Sequence, residues 1–142
     1  MPAYTSRQFA NSPNALQGAT PGNMVGYTWE VSVTANVTNT DTFTFGKVPK
    51  GFRILGAALE STSMAASGLT LSAGDAGSGT RLFNAVTVGV GGGVSTALQA
   101  AGFHYQYPDD TVITGTAAGT IGTPATGTLT LSVWGVYQGL PS

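Results

Sequence analysis

The sequence predicts an all-β fold, an antiparallel β-sandwich, and three observations carry that reading. Apolar and polar residues alternate in short runs, clusters of Gly, Pro, Asn and Asp separate the runs, and no helical pattern is long enough for a βαβ crossover. About eight strands can be marked, which points first to a jelly roll, with an immunoglobulin-like sandwich or a small barrel as alternatives. No fixed-period repeat suggests a propeller or solenoid.

Residues 1–24 follow neither a helical nor a strand period and carry Pro2, Asn11, Pro13, Asn14, Pro21 and Asn23, so they read as an extended N-terminal arm. Residues 25–142 read as the sandwich domain. From Tyr27 to Val37 the odd positions are apolar and the even ones polar, the signature of a strand with one buried face. Asn39-Thr40-Asp41 predicts a turn, Thr42 to Phe45 resumes the alternation, and Pro49-Lys50-Gly51 predicts a second turn into a strand over Arg53 to Glu60. Leu69 to Ser72 and Arg81 to Phe83 are shorter strands around a Gly/Ser-rich loop from Ala73 to Gly79. Val86 to Val94 reads either as a Gly-loosened strand or as a loop, and Ser95 to Ala101 as a helical turn or two. Phe103 to Tyr107 alternates, which predicts a strand with His104 facing away from Phe103, Tyr105 and Tyr107. Pro108-Asp109-Asp110 then turns into Thr111 to Thr114, and a last strand covers Thr128 to Tyr137, with Leu129, Leu131 and Val133 on one face and Trp134 on the other.

Charged residues make up only 8% of the 142-residue chain and the net charge is −1. Soluble domains average roughly 25% charged residues, so a surface this neutral fits a protein covered in a larger assembly. Five basic residues in all, with no basic excess, argue against nucleic acid as a partner. Without cysteine there is no disulfide, no thiolate nucleophile and no cysteine-bound zinc. No apolar run of membrane-spanning length or secretion signal is visible, so the expectation is folding in the cytoplasm of the cell that makes the chain, without a membrane partner.

Catalysis at neutral pH needs a tuned proton carrier or an activated nucleophile, and here the choice narrows to one histidine. His104 reads as a solvent or interface residue. Asp109-Asp110 reads as a turn bonded to nearby amides, although a calcium site drawing on Asp41, Glu60 or Asp75 would use the same residue types. The Gly89 to Gly93 run lacks the Lys-Ser/Thr end of a phosphate-binding loop and reads as a flexible connection. Asn36-Val37-Thr38 matches a glycosylation acceptor but reads as ordinary strand end. No catalytic residue, metal ligand or cofactor is expected. Trp29 falls on a core face, whereas Trp134 is placed for burial in an interface or for stacking on a ligand. Lys47, Lys50 and Arg53 surround the Pro49–Gly51 turn, either as a solvated corner or as contacts for acidic groups on a partner.

From about Val31 to Gly74 the sequence resembles the small decoration, or cement, proteins of tailed-bacteriophage capsids. The stretch runs through Asp41-Thr42-Phe43-Thr44-Phe45-Gly46-Lys47-Val48-Pro49-Lys50-Gly51-Phe52-Arg53-Ile54-Leu55, then Glu60-Ser61-Thr62, then Leu69-Thr70-Leu71-Ser72-Ala73-Gly74. The Gly/Thr-rich loop before Gly127-Thr128-Leu129-Thr130-Leu131-Ser132-Val133 is similar as well. The resemblance implies a non-enzymatic homo-oligomer, dimer or trimer, on the outer surface of the virion capsid, bridging neighbouring major capsid subunits. In that setting Tyr4, Arg7, Phe9 and Leu16 of the arm, together with Lys47, Lys50, Arg53 and Trp134, are the candidate partner-binding residues. The rival readings are a receptor- or carbohydrate-binding module of a tail fibre, which needs an exposed aromatic platform, and an enzyme, which needs His104 beside carboxylates such as Asp109.

Overall fold

A computed structural model of the chain describes residues 3–5, 24–35, 37–65, 67–121 and 126–137. These form nine strands and no helix: β1 (Ala3–Thr5), β2 (Met24–Val33), β3 (Thr42–Val48), β4 (Phe52–Ser61), β5 (Thr70–Gly74), β6 (Phe83–Val86), β7 (Gly93–Ser95), β8 (Thr111–Ala118) and β9 (Gly127–Tyr137). They build two sheets, ordered β1-β3-β8-β5-β6 and β2-β9-β4-β7. Four antiparallel pairs nest inside one another in the chain: β2 with β9, β3 with β8, β4 with β7, and β5 with β6. Among the nine strands the exception to antiparallel pairing is β1, which runs parallel to the first half of β3 at the sheet edge.

The sequence forms these sheets because the alternation supplies one apolar face per strand. Val31 and Val33 from β2, Ile54, Ala57 and Leu59 from β4, and Leu129, Leu131 and Val133 from β9 point inward from one sheet. Phe43, Phe45, Leu71, Phe83, Ile113 and Ala117 meet them from the other, and the result is the face-to-face core of a β-sandwich. Trp29 crosses the gap. A Cβ at Gly46 would fall inside the Trp29 indole, so the backbone of β3 lies against the ring, and the pairing of β3 with β8 shifts register at that place. Trp29 also stacks on Tyr27, with ring centroids 5.6 Å apart, and Tyr27 meets Phe52 edge-on at 5.3 Å.

Aspartates build two of the connections. The Asp41 carboxylate is buried and accepts hydrogen bonds from the Thr38 amide at 2.9 Å and the Thr38 hydroxyl at 2.8 Å, which closes the turn before β3. Thr40 in that turn has φ +72°, and the Asn39 side-chain oxygen accepts from the Gly119 amide, pinning the turn to the end of β8. At the opposite corner Gly51 takes φ +90° in the Pro49–Gly51 turn, and Asp110 accepts from the Lys50 amide at 2.8 Å. The Asp109–Asp110 turn is thereby latched to the β3–β4 turn.

Several sequence expectations shift. β2 stops at Val33, four residues before the end that the alternation suggested, because Thr34 and Ala35 are exposed and the chain leaves the sheet. Ser95 closes β7, and the expected helical turns after it are absent among the described residues. Instead Gln99 donates its amide to Leu82, and Gly102 and Phe103 both donate to Gln99, forming a tight reversal. That reversal also shortens the strand expected over Phe103 to Tyr107. His104 takes φ +68° and stacks on Phe103 with centroids 4.1 Å apart, and beyond it the chain pairs with the start of β4 through the Gln106–Arg53 bridge, with Ile54 donating its amide to Tyr105 and Tyr107 donating to Phe52. The Val86–Val94 ambiguity resolves into the end of β6, a turn and the start of β7.

Gly46→Ala is expected to destabilise the fold by about 1–3 kcal/mol, since the added carbon must displace Trp29 from a packed core. Urea unfolding monitored by tryptophan fluorescence checks this, and an unchanged midpoint would show that the contact does not hold the sheets in register.

Candidate partner-binding surface

The candidate residues scatter over the molecule. Tyr4 on β1 packs into its own sandwich, with its ring stacked on Phe43 at 5.7 Å and its hydroxyl buried without a hydrogen-bond partner. Arg7, Phe9 and Leu16 lie outside the described residues. Lys47 and Arg53 diverge because the Pro49–Gly51 turn carries the chain from one sheet to the other. Lys47 sits on the outer side of the β3 sheet, Arg53 on the outer side of the β4 sheet, and Lys50 is exposed on the turn between them.

Trp134 stands on the outer face of the β2-β9-β4 sheet and is 38% exposed. Its neighbours in register are Gly26 on β2 and Gly56 on β4. A Cβ at Gly56 would fall inside the Trp134 ring, so the indole lies down over β4, whereas nothing approaches Gly26 within 4 Å. Around it on the same face come Met24, 64% exposed, with Val136 and Arg53 in one row, and Thr28, Ser132 and Ala58 in the next. The Nε of Arg53 is buried without a hydrogen-bond partner. Farther along, Glu30, Thr130 and Glu60 form a row whose carboxylates oppose the Arg53 end in charge.

A second cluster lies at the edge of the other sheet. The Asp75 carboxylate accepts the Arg81 Nε at 2.6 Å and the amides of Gly77 and Ser78 at 2.9 Å each, while the Arg81 guanidinium covers the Tyr105 ring at 3.6 Å. Asp75, Arg81 and Tyr105 line a cleft of about 460 Å³ together with Tyr107, Asp109 and Asp110. Tyr105 and Tyr107 meet edge-on at 81°, so one ring face is taken by arginine and the other ring is buried. A flat aromatic platform for a sugar is not formed there. His104 lies exposed on Phe103, and among the described residues no group of three His, Asp or Glu side chains gathers to hold a metal.

Of the exposed apolar residues, Met24, Val94 and Phe103 were not singled out by the sequence reading. Met24 sits at the junction of arm and strand, and Phe103 is hidden by the false alternation. The Asp75–Arg81 pair had no signature in the sequence beyond the Gly/Ser-rich loop around it.

Burial opposes ionisation of Asp75, but the hydrogen bonds from Arg81 and the Ser78 amide, with the Arg81 charge, outweigh it and hold the carboxyl below its ordinary value. A carboxylate depressed in the folded state stabilises the fold above the unfolded value and ceases to do so as pH falls through the depressed one. Melting temperature is therefore expected to drop on acidification below about pH 4. Asp75→Asn should melt lower than the parent at neutral pH and lose this part of the acid dependence, and parallel profiles for the two proteins would contradict the assignment.

No protein-family model matches the chain, and no curated protein does. Two solved structures do. A chain of the Ralstonia phage GP4 capsid superposes with a TM-score of 0.75 at 21% identity, covering 98% of this chain and 99% of that one, which shows a shared fold. A chain of the cyanophage Pam1 capsid asymmetric unit superposes with a TM-score of 0.73 at 31% identity, covering 93% of this chain and 96% of that one. Identity at that level along nearly the whole of both chains places the protein in the same family as the Pam1 chain, a family of phage capsid components.

Proposed function

We propose that the protein is a capsid decoration, or cement, protein: a non-enzymatic subunit that binds the outside of a phage head and bridges neighbouring major capsid subunits. The observation that carries the reading is the end-to-end relationship to a chain of the Pam1 capsid. A jelly-roll winding of the sandwich is part of it, supported by the four nested antiparallel pairs. The charge-poor surface, with exposed Met24, Val94, Phe103 and Trp134, supports a life spent largely covered by other subunits.

The mechanism is multivalent contact. A copy that touches two shell subunits makes their separation cost several interfaces at once, and linked contacts strengthen one another without new chemistry. The arm of residues 1–24 extends the area one copy covers, with Arg7, Phe9 and Leu16 as its anchors on the shell. Tyr4, near the N-terminal end of the arm, is tied to β3, so the arm is held to the sandwich there as well as at its junction with β2. Lys47 and Lys50 offer cations to acidic groups of the major capsid protein. No nucleic acid, membrane or cofactor enters this mechanism.

Heads assembled without the protein are expected to release packaged DNA at a lower temperature than complete heads. Heads carrying a protein that lacks residues 1–24 are expected to fall between, provided circular dichroism shows the truncated chain still folded. Equal release temperatures, with the protein absent from purified heads, would reject the decoration role and turn attention to a tail-fibre receptor module.

A further inference from the structure

We infer that Phe103, kept exposed by the left-handed backbone at His104, is an anchor residue that inserts into an apolar pocket on a shell subunit. The inference deepens the proposed function and rests on it, since it names one contact between this chain and the shell.

Three observations single out this reversal. Phe103 is 53% exposed, and among the described residues no other phenylalanine or tryptophan is so open to solvent. The next residue, His104, takes φ +68°, a backbone that burdens a side-chain-bearing residue more than it burdens glycine. At six other described positions with positive φ the chain has glycine, so a relaxed choice is in regular use elsewhere in the fold. The side chain kept at His104 does one visible thing: its ring stacks on Phe103, with centroids 4.1 Å apart and planes 19° from parallel. Non-glycine residues held in sparsely populated backbone regions concentrate where a protein uses the geometry they impose. Here the geometry imposed is the presentation of one phenyl ring.

The mount beneath the ring is rigid. The amides of Gly102 and Phe103 both donate to the Gln99 carbonyl, at 2.9 and 3.2 Å, and the Tyr105 amide donates to Gly102 at 3.0 Å. The His104 amide donates to the Ile54 carbonyl at 2.8 Å, which ties the reversal to β4 beside a side chain wholly inside the core. Gly102 is buried, and a Cβ there would collide with the Arg81 carbonyl, so the reversal also lies tightly against the chain behind it. A ring presented from such a mount loses little freedom when it docks, and a preorganised contact binds more tightly for that reason.

The surroundings select the kind of partner. Stacking of a sugar chain calls for further open rings, and the adjacent Tyr105 carries the Arg81 guanidinium over its face at 3.6 Å. Approach to an anionic lipid surface is opposed by Asp109 and Asp110, exposed on the following turn. A lone aromatic side chain on a rigid support matches a pocket in a protein, where anchors of this type contribute most of the energy of an interface. The chain is related along its length to a component of a phage capsid, and a shell subunit is the partner that the proposed function supplies.

Binding to heads assembled without the protein, read by co-sedimentation, tests this alongside melting and sedimentation velocity of the free protein. Phe103→Ala is expected to bind heads about tenfold more weakly than the parent with its melting temperature and oligomeric state unchanged, because an exposed ring contributes little to the fold. His104→Gly separates the anchor from the fold. It relieves the backbone and is expected to melt no lower than the parent, yet it releases the Phe103 ring and should bind heads about threefold more weakly. A Phe103→Ala protein that binds as the parent does, or that melts well below it, would overturn the inference. So would a His104→Gly protein that melts lower or binds unchanged. Loss of self-association in Phe103→Ala assigns the ring to a contact between copies and overturns it as well. A parent that binds no heads removes the decoration role and the anchor with it, whereas a parent that binds beside an equally binding Phe103→Ala removes the anchor alone.

Discussion

The contact between Trp29 and Gly46 is the constraint on which the sandwich depends. Two sheets that meet only through aliphatic side chains can slide by a residue pair at modest cost, because one valine resembles the next. An indole that fits only where the facing strand has no Cβ removes that freedom. The register shift of β3 against β8 falls at the same residues, so the bulge that bends β3 also presents the bare backbone to the ring. Trp134 repeats the device on the outside: its ring lies on Gly56, beside the register shift of β4 against β9. One tryptophan fixes sheet against sheet, and the other presents a flat apolar surface whose orientation is set by the strand beneath it.

A chain with so little charge uses its carboxylates structurally. Asp41 and Asp75 are both nearly inaccessible, and each gathers amide and side-chain donors that would otherwise be left unpaired at a chain reversal. Asp110 does the same between two turns far apart in sequence. Turns built in this way are held by short charge-assisted bonds and depend little on apolar burial, which leaves long glycine- and threonine-rich connections compatible with a fixed sandwich.

The architecture was legible where one face of a strand is buried and the other is not. β2, β4 and β9 follow the alternation closely because solvent or an interface lies on one side and the core on the other. The same rule held only in part at Phe103 to Tyr107: Gly102 permits a reversal and His104 adopts a left-handed backbone, and the segment beyond pairs with the start of β4 through the Gln106–Arg53 bridge and the backbone bonds around it. β1 was invisible because three residues are too few to show a period and parallel edge pairing leaves no turn signal. Of the surface residues, Trp134 was found because it breaks phase with Leu129, Leu131 and Val133, whereas the grouping of Lys47 with Arg53 failed because neighbours across a turn between two sheets end on opposite faces.

Low surface charge changes what any docking contact on this surface would cost. Charged side chains keep free subunits apart and must be desolvated before any interface forms, so a surface of threonine, serine and small apolar groups lowers that cost wherever it docks. The few remaining charges then act as selectors. On the β2-β9-β4 face Arg53 and Glu60 sit at opposite ends of one strand, so a flat surface without such a pattern leaves at least one of them unpaired. Neutral area makes many contacts cheap, and sparse charge decides which of them forms. A surface divided in this way is open to docking over its neutral area without being indiscriminately adhesive.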